Sequence, residues 1–267
     1  MAMIDRWGPD FYKKVLWSGG SAGTIFAVGL ALGKSPEEIS NLYKCVAERA
    51  SRHGAFFYGS LFMEEAVREL ISDPLSYKLL EGRCCIGTTS FFDKHRWHVS
   101  WTDNEDLVHT VKSSCHIPFY CQSNYGMGDA VVVDGAYGFA GTALPHGDHT
   151  LYVGIDPHAE ITRHFSNEEM MYPTVGQAYE DMVLSGYRAF QQWDGRMIRK
   201  VTRRKPNYHA LYILWVLKAL ELGYHAFIEV LRLLVRLLLR LMVWVHSSMY
   251  GIPLSKEESA KAQKKAL

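Results

Sequence analysis

Residues 15–33 read VLWSGGSAGTIFAVGLALG. A short apolar run, Val15-Leu16-Trp17, stops at glycines. An apolar segment of helix length, Ala22 to Leu32, follows at once and is closed by Gly33. A run too short for a helix, a glycine turn and a buried helix make a strand–turn–helix unit. Both the strand and the helix are apolar and must be covered, which constrains the chain to a layered α/β arrangement.

The chain keeps this alternation to about Arg203. Ser35-Pro36-Glu37-Glu38 is a helix start, with Ser35 as N-cap, Pro36 at the first position and Glu38 reaching back; the helix runs to about His53. A third helix spans roughly Ser60 to Ile71 and stops at Asp73-Pro74. Arg83 to Ser90 and His95 to Trp101 read as paired strands, and Glu105 to Ser114 as a helix. Ala130 to Val133 and Leu151 to Ile155 read as short buried strands, and Val175 to Trp193 as a long amphipathic helix. With 267 residues and 48% hydrophobic content, the chain can bury a sizeable core.

Gly19-Gly20-Ser21-Ala22-Gly23 is a G-x-S-x-G pattern. By composition alone such a pattern arises in roughly one chain in ten of this length, so its context must carry the weight. A nucleophile elbow needs a strand, a sharp turn and a helix, and residues 15–32 supply that order. Glycines at 19 and 23 remove side chains that would crowd the turn and the helix behind it. The helix start at Ala22 offers N–H groups and a positive dipole end to an oxyanion. The alternative is a serine in a glycine turn between two core elements.

A serine nucleophile needs a base. Of twelve histidines, His146, His149 and His158 fall near later strand ends, none in a distinctive motif. Asp134, in AVVVDGA, is the better candidate. It ends a buried strand, where α/β sheets place their sites, and Gly135 lets the chain turn and another backbone approach. Partial burial would raise its pKa and improve it as a base. The alternative is an ordinary Asp-Gly turn.

The G-x-S-x-G of residues 19–23 followed by Asp134-Gly135-Ala136 resembles the patatin-like phospholipase family. A third block agrees: Asp106-Leu107-Val108 leads to Ser113-Ser114-Cys115-His116-Ile117-Pro118-Phe119, like the family's helix, Ser-rich turn and Ile-Pro. The resemblance covers about residues 15–160. It implies a three-layer α/β sandwich and a Ser–Asp dyad without a catalytic histidine. It implies hydrolysis of acyl esters in phospholipids or neutral glycerolipids through an acyl-enzyme, with no cofactor and no metal. Ser21 would be the nucleophile, Asp134 its proton acceptor and the Ala22 N–H a partial oxyanion donor. The family places a strand and a G-G-G-x-x-G-like loop ahead of the elbow. Here eighteen residues precede Gly19, with Gly8 the only glycine among them. The expectation is an N-terminally incomplete sandwich without its first strand and oxyanion loop. A catalytically impaired, membrane-associated binding or regulatory protein of the same family is the alternative function.

Three parts follow: a patatin-like acyl hydrolase domain over 1–205, a long apolar, amphipathic helix over 206–250, and a polar tail over 251–267. Residues 207–246 contain no proline and would make a helix about 60 Å long. Lys218, Glu221, His225, Glu229, Arg232, Arg236 and Arg240 fall within an arc of roughly 100° on it. Such a helix can lie on a membrane or lipid-droplet surface, span a bilayer, or pack on protein. A net charge of +1 gives no whole-chain field for nucleic acid. Five cysteines without a C-x-x-C pair suit reduced thiols. The N-terminus has no apolar signal region, and the expected location is the cytoplasmic face of a membrane or lipid droplet.

Overall fold

The protein is described as a computed structural model, over residues 2–54, 58–90, 94–121, 131–137, 150–151, 153–154, 161–162, 174–195 and 208–250. In chain order its elements are α1 (Ala2–Trp7), a 3-10 turn at Phe11–Lys13, β1 (Trp17–Gly20), α2 (Gly23–Ala31), α3 (Pro36–His53) and α4 (Gly59–Leu70). Then come α5 (Ser76–Leu79), β2 (Cys84–Ser90), β3 (Lys94–His98), α6 (Asn104–Ser114), β4 (Val132–Val133) and a 3-10 turn at Gly135–Tyr137. The last are β5 (Val153–Gly154), β6 (Ile161–Thr162), α7 (Gln177–Gln192) and α8 (Tyr208–Tyr250). The fold is mixed α/β.

All seven residues of β2 are buried, and three strands pair with it. β1 runs parallel to β2 with Trp17 opposite Cys84 and Gly20 opposite Gly87. β3 runs antiparallel from Lys94 opposite Ser90 to His98 opposite Ile86. β4 runs antiparallel with Val132 opposite Ser90 and Val133 opposite Thr89. Since β3 already takes one edge at Ile86–Ser90, β1 and β4 must share the other. They lie end to end along it and run toward each other, converging at Gly87–Thr88. Asp134 therefore follows an antiparallel strand and not a parallel one. The two-residue length of β4 has the same cause, because β1 occupies the edge as far as Gly87.

Helices α2 and α6 pack on the sheet, and α3 and α4 pack against those helices, α3 on α2 and α4 on both. Ile25, Val28, Ile39, Val67, Ile86, Leu107 and Val111 form the centre of this core, each at 1% exposure or less. Local chemistry starts the helices where the sequence suggests. Ser35 Oγ accepts from the Glu38 N–H at 3.1 Å and Glu38 Oε2 accepts from the Ser35 N–H at 2.7 Å, a complete capping box. Asp103 caps α6 by accepting from the Asp106 N–H at 2.8 Å. The N-terminal segment is tied to α7 by aromatic contact, with the Trp7 ring 5.5 Å from Phe190 and 5.9 Å from Trp193. β5 and β6 form a separate parallel pair. Ala130, Ile155 and the tail 251–267 lie outside the described residues, and none of the five cysteines is in a disulfide.

The chain divides into two compact units, Met1–Leu217 and Lys218–Leu267, with the boundary inside α8. In the second unit Lys218 and Glu221 are buried and paired at 2.7 Å. From Glu229 to Met242 every residue is exposed. No helix among the described residues is long and apolar enough to cross a membrane.

The motif glycines differ in what they do. A methyl group at Gly19 would lie 2.6 Å from the Gly23 carbonyl oxygen and 2.7 Å from Thr24 Cα, so Gly19 lets α2 lie against β1. A methyl group at Gly23 meets nothing within 4 Å, so Gly23 relieves no crowding in the fold. Gly19→Ala should destabilise by about 1–3 kcal/mol, as overpacking against backbone does. Gly23→Ala should stabilise by about 0.4–1 kcal/mol, by reducing the freedom of the unfolded chain. Denaturant unfolding of both variants reads the opposite signs; two losses of equal size would refute this division.

Candidate active site

The head-on approach of β1 and β4 brings together the two residues that follow them. Ser21 comes directly after β1 and has a left-handed backbone, φ +55°. A residue other than glycine in that region costs on the order of 1–3 kcal/mol, so the surroundings must hold it there. Its carbonyl accepts from the Thr24 N–H at 3.0 Å and from the Thr24 hydroxyl, which starts α2 without a gap. This is the sharp strand-to-helix turn that lifts a side chain out of the backbone.

Ser21 Oγ donates to Asp134 Oδ2 at 2.5 Å. Asp134 is 1% exposed, and its second oxygen, Oδ1, accepts from the Ala136 N–H at 2.9 Å. Burial pushes the carboxyl up to about 7, against the opposing pull of the bonds from Ser21 and Ala136. Near neutral pH it therefore exchanges its proton readily. That is the property of a general base poised for a hydroxyl.

One glycine lets the backbones close on this point. Gly20 lies opposite Gly87 in the sheet, and a methyl group on Gly20 would make only an ordinary contact, 3.4 Å from the Gly135 carbonyl carbon. A methyl group on Gly135 would lie 2.0 Å from the Gly87 carbonyl oxygen, closer than any contact allows. Gly135 is needed here because another backbone occupies the space its side chain would fill.

Of the other motif residues, Ala22 is the exposed N-cap of α2, where a helix leaves its first N–H groups without intrahelical partners. Its carbonyl accepts from the Tyr43 hydroxyl. Ala136 contributes its N–H to Asp134, and Gly23 is exposed beside the turn. His146, His149 and His158 lie outside the described residues. Among the described residues no group of His, Cys, Asp and Glu has the arrangement to hold a metal.

Sequence reasoning passed over three neighbours. Ser114 Oγ accepts from the Ser21 N–H at 3.0 Å and donates to the Gly87 carbonyl at 2.6 Å. Gly87 is a glycine inside a strand, which signals a close backbone approach. His95, on β3, leans over it, with Nε2 2.7 Å from where a Gly87 methyl would be. Burial lowers the His95 pKa to about 4, against the opposing effect of a bond the ring donates to the Gly135 backbone, so its ring is uncharged at neutral pH.

No family model, no curated protein and no solved structure matches this chain. The site stands on its geometry.

The raised pKa of Asp134 fixes a sign. The folded protein holds this proton more tightly than the unfolded chain, where the ordinary value is 3.8. The contribution of Asp134 to stability is thus greatest below about pH 4 and falls as pH rises to about 7. Asp134→Asn removes that loss while keeping an acceptor for Ala136. The variant's advantage over the unaltered protein should grow between pH 4 and 7, reaching on the order of a few kcal/mol. Thermal unfolding of both proteins at pH 4.5, 6 and 8 checks it; a constant difference would contradict it.

Proposed function

We propose that the protein is a serine acyl hydrolase that cleaves acyl esters of glycerolipids with a Ser21–Asp134 dyad, in the manner of the patatin-like phospholipases it resembles. The observation that carries this reading is the 2.5 Å bond from Ser21 Oγ to a buried Asp134, made by a serine on a left-handed strand-to-helix turn. In the reaction Asp134 takes the Ser21 proton as Oγ attacks the ester carbonyl. The ester C–O bond breaks, the leaving alcohol takes the proton from Asp134, and the acyl group stays on Oγ. Water then attacks the acyl-enzyme, passing a proton to Asp134 and releasing the acid as Ser21 is reprotonated. In this reading the Ala22 N–H, at the N-cap of α2, is the donor assigned to the developing negative charge.

Rates on a soluble ester should fall about 10³-fold or more in Ser21→Ala and in Asp134→Asn, since residues that act as a unit lose most of their effect together. The acid limb of kcat/KM should be half-maximal near pH 7, where Asp134 ionises. Equal rates in all three proteins would remove the enzyme reading.

The second unit suits a lipid substrate. Between Val230 and Met242 the only polar residues are Arg232, Arg236 and Arg240, four apart and so on one face. Leu234, Leu238 and Met242 are 51%, 59% and 67% exposed. Single-signed charge beside exposed apolar surface fits an anionic membrane or droplet surface at the cytoplasmic face, with the leucines in the acyl region. Replacing Arg236 and Arg240 by Gln should weaken binding to phosphatidylserine vesicles roughly 30-fold, at about 1 kcal/mol per charge. Flotation of the full chain measures it; unchanged flotation would dismiss this surface as the anchor.

A further inference from the structure

We propose that the three residues Ser114–His116 set the separation of Ser21 and Asp134, with Ser114 as a positioning residue for the nucleophile. The inference rests on the dyad reading above and deepens it.

Ser114 is the last residue of α6 and has no exposed surface. Its hydroxyl has a single proton, which goes to the Gly87 carbonyl at 2.6 Å. That bond leaves the oxygen's lone pairs for the Ser21 N–H, which donates to it at 3.0 Å. One side chain thus ties the nucleophile's backbone to the middle of β2. Two residues on, the His116 carbonyl accepts from the Asp134 N–H at 2.8 Å. Between them Cys115 Sγ lies 3.6 Å from Thr24 Oγ1, and the Thr24 hydroxyl donates to the Ser21 carbonyl. The Cys115 N–H donates to the Val111 carbonyl at 3.1 Å, which fastens the segment to α6.

The backbone N–H groups of nucleophile and base are therefore both anchored on one run of three residues. β1 and β4 come from distant parts of the chain, and neither pairs with the other. The end of α6 is what they have in common besides β2. The bonds to the Ser21 N–H, the Gly87 carbonyl and the Asp134 N–H do not involve Ser21 Oγ, so their effect on the reaction is through placement. Gly135 belongs to the same arrangement, since a methyl group there would lie 2.9 Å from Ser114 Oγ.

The test compares the full chain with its Ser114→Ala, Ser114→Cys and Ser114→Thr variants on p-nitrophenyl butyrate, with Ser21→Ala as the blank and thermal unfolding as the check of folding. Cysteine keeps the volume but is a weak hydrogen-bonding group, and threonine keeps the hydroxyl. In the Ala and Cys variants kcat should fall about 10- to 100-fold with KM unchanged, the size of effect that a small misplacement causes. The Thr variant should recover to within about threefold of the unaltered protein, because the hydroxyl anchor is restored. If the Ala variant does not fold, the contrast between Cys and Thr decides. Unaltered kcat in the Cys variant, or an equal loss in Cys and Thr, overturns the positioning role and leaves the dyad reading intact. An unaltered protein no faster than Ser21→Ala removes the dyad reading, and this inference with it.

Discussion

Two strands share one edge of β2 and run into each other at Gly87. The rest of the site depends on this meeting. β1 arrives parallel and β4 antiparallel, so their C-terminal ends face one another. A side chain at Gly135 would hold the ends apart, since its methyl would overlap the Gly87 carbonyl. With that side chain absent, the residues that follow the strands are brought within hydrogen-bond distance. The chemistry of the site is a consequence of backbone packing.

Two unfavourable features are concentrated there. Ser21 is held in a left-handed conformation, and Asp134 is a carboxyl without solvent. Each opposes folding by itself, and proteins tolerate such features where the surrounding structure determines them strongly. Here the surroundings are a buried strand, Gly135 and the end of α6. The low dielectric that raises the Asp134 pKa also strengthens its bond to Ser21, so the cost of burying the carboxyl and the strength of that bond have one origin.

Much of the local structure was legible in the sequence. The Ser35 capping box, the strand–turn–helix at residues 17–31 and the β2–β3 pairing all follow from neighbouring residues, and all are present. Legibility ended where partners are far apart in the chain. That β4 is antiparallel and shares an edge with β1 depends on register along Thr89–Ser90, which no local pattern encodes. Ser114 acts on a residue 93 positions away, and nothing near it announces that role beyond a Ser-rich turn. The role of Gly23 was misjudged for a related reason. Its motif position suggests crowding, whereas the helix actually lies against Gly19. Residues 207–246 were readable as one helix, and Tyr208–Tyr250 is helical.

The second unit separates two uses of charge on one helix face. Lys218 and Glu221 are buried and neutralise each other at 2.7 Å, which is how a buried ion is tolerated. Three to five turns further on the same face carries Arg232, Arg236 and Arg240 in the open, with one acid, Glu229, bonded to Arg232. A face that needed charge only for solubility would mix signs. Beyond the Glu229–Arg232 pair, Arg236 and Arg240 follow at four-residue intervals over a surface that is otherwise leucine, with no acid among them, which is the pattern the proposed anchor to an anionic, apolar-backed surface calls for. On the proposed reading that surface is a bilayer or a lipid droplet.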